Sequence, residues 1–316
     1  MVGEEENALG VAVGVADTKT MSERAPHRGG DSRSRRFAAG LVLGSTISVQ
    51  AGAALATTLF DEVGPEGAVL LRTLTAAVVL IAISRPRLDG VAPERRRLAA
   101  LFGISLAGMN LCFYEALDRL PLGIAVTFEF TGPLAVALTG SRRAVDVVWA
   151  ALAAVGIILL SGAGGGGGVD ALGAGFGLAA GAFWAAYIVI GARVGRAFAG
   201  GEGLAIAMGL SALLLLPFGV AGGGRDLLLP ALLATGVGVG LLSSVIPYSL
   251  ELEALRRLPE RVFGVLMSLE PAVAALIGFI TLGQDLAAVE LLAIGCVVVA
   301  SAGALRGAPA AGPLDA

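Results

Sequence analysis

The sequence predicts an all-α membrane protein with ten transmembrane helices, arranged as two inverted five-helix repeats. Three observations lead to this fold class: an apolar composition, a series of long apolar segments, and an internal repeat. The chain has 316 residues, of which 56% are hydrophobic and 15% charged, whereas a soluble domain contains roughly 25% charged residues. Its formal net charge of −3 lacks the basic excess of a nucleic-acid-binding protein. Composition therefore favours the lipid bilayer as a partner and argues against a nucleic acid.

The long apolar segments are the second observation. A helix needs about 20 mainly apolar residues to cross the hydrocarbon core, and in lipid it satisfies all its backbone groups within the segment. The predicted transmembrane helices are 37–60, 65–84, 98–117, 122–140, 145–162, 171–192, 203–220, 228–250, 262–280 and 286–305.

These segments divide the chain into two halves with polar or glycine-rich ends. We predict that the chain begins with a disordered cytoplasmic tail. Translation starts at either Met1 or Met21, and the sequence leaves both alternatives open. The glycine run 164–168 is not followed by the Lys-Ser/Thr pair of a phosphate-binding loop, so we interpret it as part of a linker. The predicted divisions are the N-terminal tail 1–36, the first repeat 37–162, the linker 163–170, the second repeat 171–306 and the C-terminal tail 307–316.

The internal repeat is the third observation. Residues 115–121 read EALDRLP and residues 253–259 read EALRRLP, identical at six positions. Continuing without a gap, Pro133 aligns with Pro271. Because each half contains five predicted helices, an odd number, the two copies cross the membrane in opposite directions. Inverted repeats of this kind are typical of secondary transporters.

The distribution of arginines predicts the orientation. Cytoplasmic loops of membrane proteins carry an excess of basic residues. With the N-terminus inside, the predicted outer loops contain only Arg119 and Arg225. The predicted inner segments contain Arg33, Arg35, Arg36, Arg85, Arg87, Arg95, Arg96, Arg97, Arg142, Arg143, Arg193, Arg196, Arg256, Arg257, Arg261 and Arg306. We therefore predict that both termini are cytoplasmic.

Ionisable residues within the predicted helices are candidates for function, since each costs about 2.5–3.5 kcal/mol or more at the centre of the bilayer. Arg72 and Glu129 both lie ~10 Å below the predicted outer ends of their helices, at 1.5 Å per residue. An ion pair between them is geometrically feasible. Glu270 is predicted near the middle of the ninth helix. It is either a neutral structural group or, as we favour, a desolvated carboxyl group that exchanges a proton.

Prolines follow both carboxylates. A proline removes a backbone donor and bends a helix, so Pro133 and Pro271 predict kinks beside Glu129 and Glu270. Interrupted helices at corresponding positions of two halves indicate a binding site near the middle of the membrane. The acids themselves are not repeat mates, because Glu129 aligns with Met267 and Glu270 with Gly132.

Uncharged polar residues complete the candidate site. Gln50, Asn110 and Tyr248 lie in predicted helices 1, 3 and 8, where such side chains bind either a neighbouring helix or a polar solute. Both alternatives stay open. Trp184 and Tyr187 are interpreted as packing or interface anchors.

The residues of a metal centre or an enzyme are not grouped in this sequence. The two cysteines lie in separate apolar segments, one in each half, and the one histidine lies in the N-terminal tail. No HExxH or GxSxG pattern occurs. We therefore expect no metal, no cofactor and no enzymatic activity.

Four segments are similar to a known family. They are PLGIAVTFEFTGPLAVAL (121–138), SVQAGAALA (48–56), IPYSLELEALRRLP (246–259) and MSLEPAVAAL (267–276). They resemble the drug/metabolite transporter superfamily, in its branch with paired EamA domains that includes threonine/homoserine exporters. The resemblance extends from about residue 37 to 306, and the EFTGP and MSLEP motifs are its most specific parts.

The resemblance implies ten helices, a location in the inner cell membrane and efflux of small metabolites, chiefly amino acids, in exchange for protons. The residues that this resemblance singles out are Glu129 and Pro133 in the first motif, and Glu270 and Pro271 in the second. Export of a drug or another metabolite, and a passive channel, remain alternatives. The sequence leaves open whether the protein forms a homodimer.

Overall fold

The computed structural model describes residues 28–86, 92–139, 144–162, 169–198, 201–255 and 266–307. Within these ranges the regular elements are all helical. The predicted tail up to residue 27, the glycine run 164–168, residues 256–265 of the second repeat copy, and residues 308–316 lie outside them. The helices are α1 (Arg28–Thr57), α2 (Phe60–Ser84), α3 (Pro93–Arg119), α4 (Leu122–Glu129), α5 (Thr131–Thr139), α6 (Ala144–Gly162), α7 (Ala171–Ala197), α8 (Glu202–Gly223), α9 (Pro230–Gly240), α10 (Ile246–Leu255), α11 (Glu270–Leu282) and α12 (Ala288–Gly307).

Apolar helices long enough to cross a membrane dominate the described chain. Six meet both length and composition requirements, and four shorter apolar helices accompany them. Large apolar side chains such as Ile83, Val147 and Leu228 are about 70% exposed, which fits contact with lipid tails rather than water. The protein is therefore an integral membrane protein. The six spans are Phe37–Thr57, Phe60–Ser84, Pro93–Arg119, Ala171–Ala197, Glu202–Gly223 and Pro230–Glu251.

The first helix begins earlier than its predicted transmembrane segment. α1 starts at Arg28, so residues 28–36, which the sequence placed in the tail, are helical. Arginine is a good helix former, and adding residues to an existing helix requires no new nucleation. The apolar part of this helix begins at Phe37, where the predicted segment begins.

Three predicted helices are interrupted. The fourth is divided at Phe130 into α4 and α5, and a π-helical turn over Leu241–Val245 connects α9 to α10 within the eighth. In the ninth, a turn at Ser268–Leu269 precedes α11. Pro133, Pro247 and Pro271 follow the three interruptions within a few residues. Since each proline lacks an N–H, it cannot close the helical bond to the residue four positions earlier.

Helices of the first half pack mainly on helices of the second half. α2 packs along α8, α3 along α7, α6 along α12, and α1 along α10 and the π-helical turn. The short helix α4 contacts both α7 and α11. Large buried side chains, including Tyr114, Phe128 and Leu215, form the core between the halves. The interrupted helices thus meet in the interior of the bundle.

Small residues allow the closest approaches of backbones. A Cβ atom on Gly132 would collide with the carbonyl group of Gly181 on α7, and one on Gly177 would lie 2.7 Å from Cβ of Phe128. On α1, a Cβ on Gly52 would lie 2.9 Å from the backbone nitrogen of Ser243. The glycine-rich faces of α1 and α7 are therefore packing surfaces against the interrupted helices.

A cavity between the two halves

A cavity of about 110 Å³ lies where the interrupted helices meet. A cavity of this size has room for several water molecules or one small polar solute. The six polar residues predicted from the sequence all line it. The complete lining is Val49, Gln50, Arg72, Met109, Asn110, Phe113, Glu129, Trp184, Tyr187, Ser243, Tyr248, Glu251, Met267 and Glu270.

Arg72 on α2 is the cation among these lining residues. Its Nε donates to Oγ of Ser244 at 3.3 Å, and its Nη2 donates to the backbone carbonyl of Ser243 at 3.2 Å. The guanidinium lies over the ring of Tyr114, 5.6 Å from the centroid, a cation–π contact. A π-helical turn alters the regular backbone bonding, and such turns often mark functional sites. Here it provides the partners that hold Arg72 in the interior.

Arg72 and Glu129, both described by the structure, do not form the predicted ion pair, and the guanidinium instead donates hydrogen bonds to the π-helical turn. The two groups still line one cavity and interact electrostatically across it. The sequence estimate of equal depth in the membrane placed them close together. It could not include the π-helical turn, which competes for the guanidinium.

Glu129 is the last residue of α4. Pro133 lacks the N–H that would bond to the Glu129 carbonyl in a continuous helix. The N–H of Phe130 still bonds to the Val126 carbonyl at 2.9 Å, so α4 keeps regular helical hydrogen bonds up to the point where the chain turns. Gly181 lies so close that its Cβ would be 2.7 Å from the Glu129 carbonyl oxygen. The predicted kink is therefore a break, and it orients Glu129 toward the cavity.

Glu270 differs from its predicted position. It is the first residue of α11, after the turn at Ser268–Leu269, rather than the middle of a continuous helix. Pro271 lies in the first turn of that helix, where its missing N–H has no cost. The side chain is 4% exposed and interacts electrostatically with Glu251 and Glu129. Proline thus begins the helix instead of bending it.

The three uncharged candidates differ in their interactions within the protein. The Asn110 amide donates to the Leu106 carbonyl of its own helix at 2.7 Å. Gln50 is 2% exposed, and its Oε1 has no hydrogen-bond partner among the described residues. Tyr248 lies one turn after the π-helical segment and interacts electrostatically with Arg72. All three side chains line the cavity, and their roles in binding stay predictions.

Sequence reasoning missed one acid, and two aromatic residues that it assigned to packing line the cavity as well. Glu251 lines the cavity and accepts a hydrogen bond from Ser45 of α1. It lies one residue beyond the predicted end of helix 8, which hid it, although its spacing of three from Tyr248 places both on one helix face. Trp184 and Tyr187 also line the cavity. They have packing roles as well: Trp184 contacts Phe130 edge to face at 5.5 Å, and Tyr187 stacks on Phe102 at 4.9 Å.

A second cavity, of about 430 Å³, lies between α11 and α12. Its walls are largely apolar, and they include the exposed side chains Leu276 and Phe279. It lacks the converging charges of the smaller cavity. Among the described residues, no group of three or more His, Cys, Asp or Glu side chains could hold a metal ion.

Comparison with known proteins agrees with this architecture. The profile of the EamA-like transporter family matches residues 171–306. The threonine/homoserine exporter RhtA of Escherichia coli strain K12 is 44% identical over 264 residues, which is 83% of this chain and 89% of that protein. The chain belongs to the EamA-like transporter family.

Other relatives and a solved structure extend the comparison. The threonine/homoserine exporter RhtA of Salmonella typhimurium strain LT2 is 44% identical over 81% of this chain and 87% of its own length. A crystal structure of a protein with 20% identity superposes with a TM-score of 0.60, covering 86% of this chain and 98% of that one. This likeness concerns the fold alone. These EamA-like relatives are named as transporters rather than as enzymes.

Proposed function

We propose that this protein exports small amino acids, threonine and homoserine foremost, from the cytoplasm across the inner membrane in exchange for protons. The observation that carries the proposal is the 44% identity, over most of both chains, to proteins named threonine/homoserine exporters. The cavity agrees with it, because its charged groups complement the two charges of an amino acid.

Arg72 is the partner we propose for the carboxylate of the solute. A guanidinium presents several donors in a planar fork that matches a carboxylate. Two of the donors on Arg72 already bond to the π-helical turn, which fixes the group and leaves others for a ligand. A fixed donor loses less conformational entropy on binding than a mobile one.

Three carboxylates, Glu129, Glu251 and Glu270, are the partners we propose for the ammonium group and for protons. They come from α4, α10 and α11 and interact electrostatically at the same cavity. Binding of a proton from the outer side would neutralise one of them and release the ammonium group, after which the carboxyl group returns its proton to the cytoplasm.

The exchange requires two oppositely oriented halves, and the helix packing supports this part of the proposal. In the repeat alignment, α1 corresponds to α7, α2 to α8, α3 to α9–α10, α4–α5 to α11, and α6 to α12. The contacts α2–α8, α6–α12 and α4–α11 join repeat mates directly. The α3–α7 contact has the α10–α1 contact as its counterpart. A pseudo-two-fold arrangement of ten membrane helices accounts for these pairs.

Ten membrane helices, an even number, leave both termini on one side of the membrane, and we propose from the arginine distribution that this side is the cytoplasm. Rocking of one half against the other would open the cavity to each side in turn.

Export by cells that accumulate threonine tests the function. We expect expression of the protein to increase extracellular threonine and homoserine and to raise resistance to toxic threonine analogues, and we expect a proton uncoupler to abolish the increase. Flux that continues unchanged with the uncoupler would favour the passive channel. Resistance to unrelated compounds without any amino-acid export would favour a transporter of another metabolite.

A further inference from the structure

Gln50 provides an unused hydrogen-bond acceptor in the cavity. The residue lies on α1, its side chain is 2% exposed, and its Oε1 has no partner among the described residues. Ser243 on the facing π-helical turn also has a buried Oγ without a partner. A buried polar atom without a hydrogen bond costs about 1–3 kcal/mol. Such groups at the wall of a cavity indicate a bound polar ligand.

Several other polar groups along α1 and on the cavity wall have hydrogen-bond partners within the protein. Ser48 of α1 donates to the Leu242 carbonyl at 2.7 Å, and Ser45 donates to Glu251. The Asn110 amide donates to the Leu106 carbonyl. The carboxylates are acceptors too, but their charge matches an ammonium group. Gln50 therefore contributes a neutral acceptor that a neutral donor can use.

We infer that Gln50 Oε1 accepts a hydrogen bond from the side-chain hydroxyl of the solute and so selects hydroxylated amino acids. This inference rests on the proposed amino-acid export and identifies the residue that sets its specificity. A single small solute would occupy this cavity of about 110 Å³. With its carboxylate at Arg72 and its ammonium group at the acids, its side chain is the remaining polar part, and Gln50 offers it a buried neutral amide acceptor beside Ser243.

Comparison of threonine with valine isolates this contact, because valine replaces the hydroxyl of threonine with a methyl group of similar size. A site that hydrogen-bonds a hydroxyl group rejects the analogue that lacks it, since its own buried polar group is then left unpaired. Wild-type protein should therefore export threonine in preference to valine by at least about tenfold, the ratio expected from one buried hydrogen bond.

The experiment measures export of both amino acids by the same cells, with the membrane level of each variant determined by immunoblot. Gln50→Met keeps the length of the side chain and removes the acceptor. We expect it to lose the preference, with a threonine-to-valine ratio near one and valine export maintained. Asn110→Leu, at the same cavity, should lower both fluxes without changing their ratio.

Each other outcome overturns the inference. If Gln50→Met lowers both fluxes in parallel and leaves the ratio intact, Gln50 does not read the hydroxyl group. If wild-type protein exports valine as well as threonine, there is no selection to explain, although the proposed export stands. If wild-type protein exports neither, the proposed function fails and this inference fails with it.

Discussion

The two halves both bring an interrupted, proline-containing helix to the cavity, but they present their acids at opposite helix ends. Glu129 is the last residue of α4, and Glu270 is the first residue of α11. A helix carries a partial negative charge at its C-terminus and a partial positive charge at its N-terminus. A negative charge at Glu270 thus lies at the favourable end of its helix, whereas one at Glu129 lies at the unfavourable end, across the cavity from Arg72.

The difference has a steric origin. In the repeat alignment, Gly132 is the mate of Glu270. A side chain at position 132 would collide with the backbone of Gly181 on α7. The first half therefore has no room for an acid at that position, and its acid lies about one turn earlier. One repeated sequence thus forms two different electrostatic environments, because the neighbouring helix differs.

The largest effect should follow the loss of the charge at Glu270. We expect Glu270→Gln to abolish proton-coupled export, since the amide group of glutamine cannot carry the proton that a buried carboxyl group exchanges. Threonine efflux and the membrane level of the variant are the measurements. The control is Asp285→Asn, which neutralises an exposed carboxyl group of the same half. Wild-type efflux from the Glu270 variant would exclude the role given to this residue.

Gly132→Ala tests the steric origin of the asymmetry. We expect it to destabilise the protein by about 1–3 kcal/mol, as overpacking does, because the new Cβ meets the backbone of Gly181. Thermal unfolding of the purified protein in detergent measures the change. The control is Gly40→Ala on α1, where a Cβ has no neighbour within 4 Å. Equal unfolding temperatures for the two variants would contradict the steric explanation.

A double-mutant cycle tests whether Glu129 depends on Arg72. We expect Glu129→Gln and Arg72→Gln to lower export singly, and the double variant to lose less than the sum. The expected coupling is about 0.5–3 kcal/mol, typical of neighbouring charged groups. Efflux rates of the four proteins are compared. For Glu270 and Arg72 the same cycle should give a smaller coupling, and equal couplings would remove the distinction between the two acids.

The smallest effect concerns Ser45, which donates to Glu251 between α1 and α10. Ser45→Ala leaves the carboxylate without this donor, and we expect a loss of about 1 kcal/mol in stability with export reduced but present. Thermal unfolding and efflux are measured together. Ser249→Ala is the control, because its hydroxyl group is exposed and donates to the Val245 carbonyl one turn earlier. A loss as large as that of Glu270→Gln would make Glu251 the central acid instead.

Much of this architecture could be predicted from the sequence. The apolar segments coincide with helices, and the cost of placing ionisable groups in lipid identified Arg72, Glu129 and Glu270 at one cavity. What could not be predicted depended on tertiary contacts. The π-helical turn that holds Arg72 packs against α1, and the helix that Glu270 begins packs against α4. Glu251 was missed because it lies just beyond the predicted end of helix 8. The sequence does not show that Ser45 of α1 packs beside it.

Protection of a cavity residue by the solute tests the central claim most directly, that the cavity between the two halves binds the exported amino acid. Met109 lines the cavity and is half-buried, whereas Asp118 lies outside it. In a protein without its native cysteines, Met109→Cys and Asp118→Cys would be modified with a small thiol reagent in the presence and absence of threonine. We expect threonine to slow modification at position 109 and to leave position 118 unchanged. Equal rates at position 109 with and without saturating threonine, in a variant that still exports it, would contradict the account.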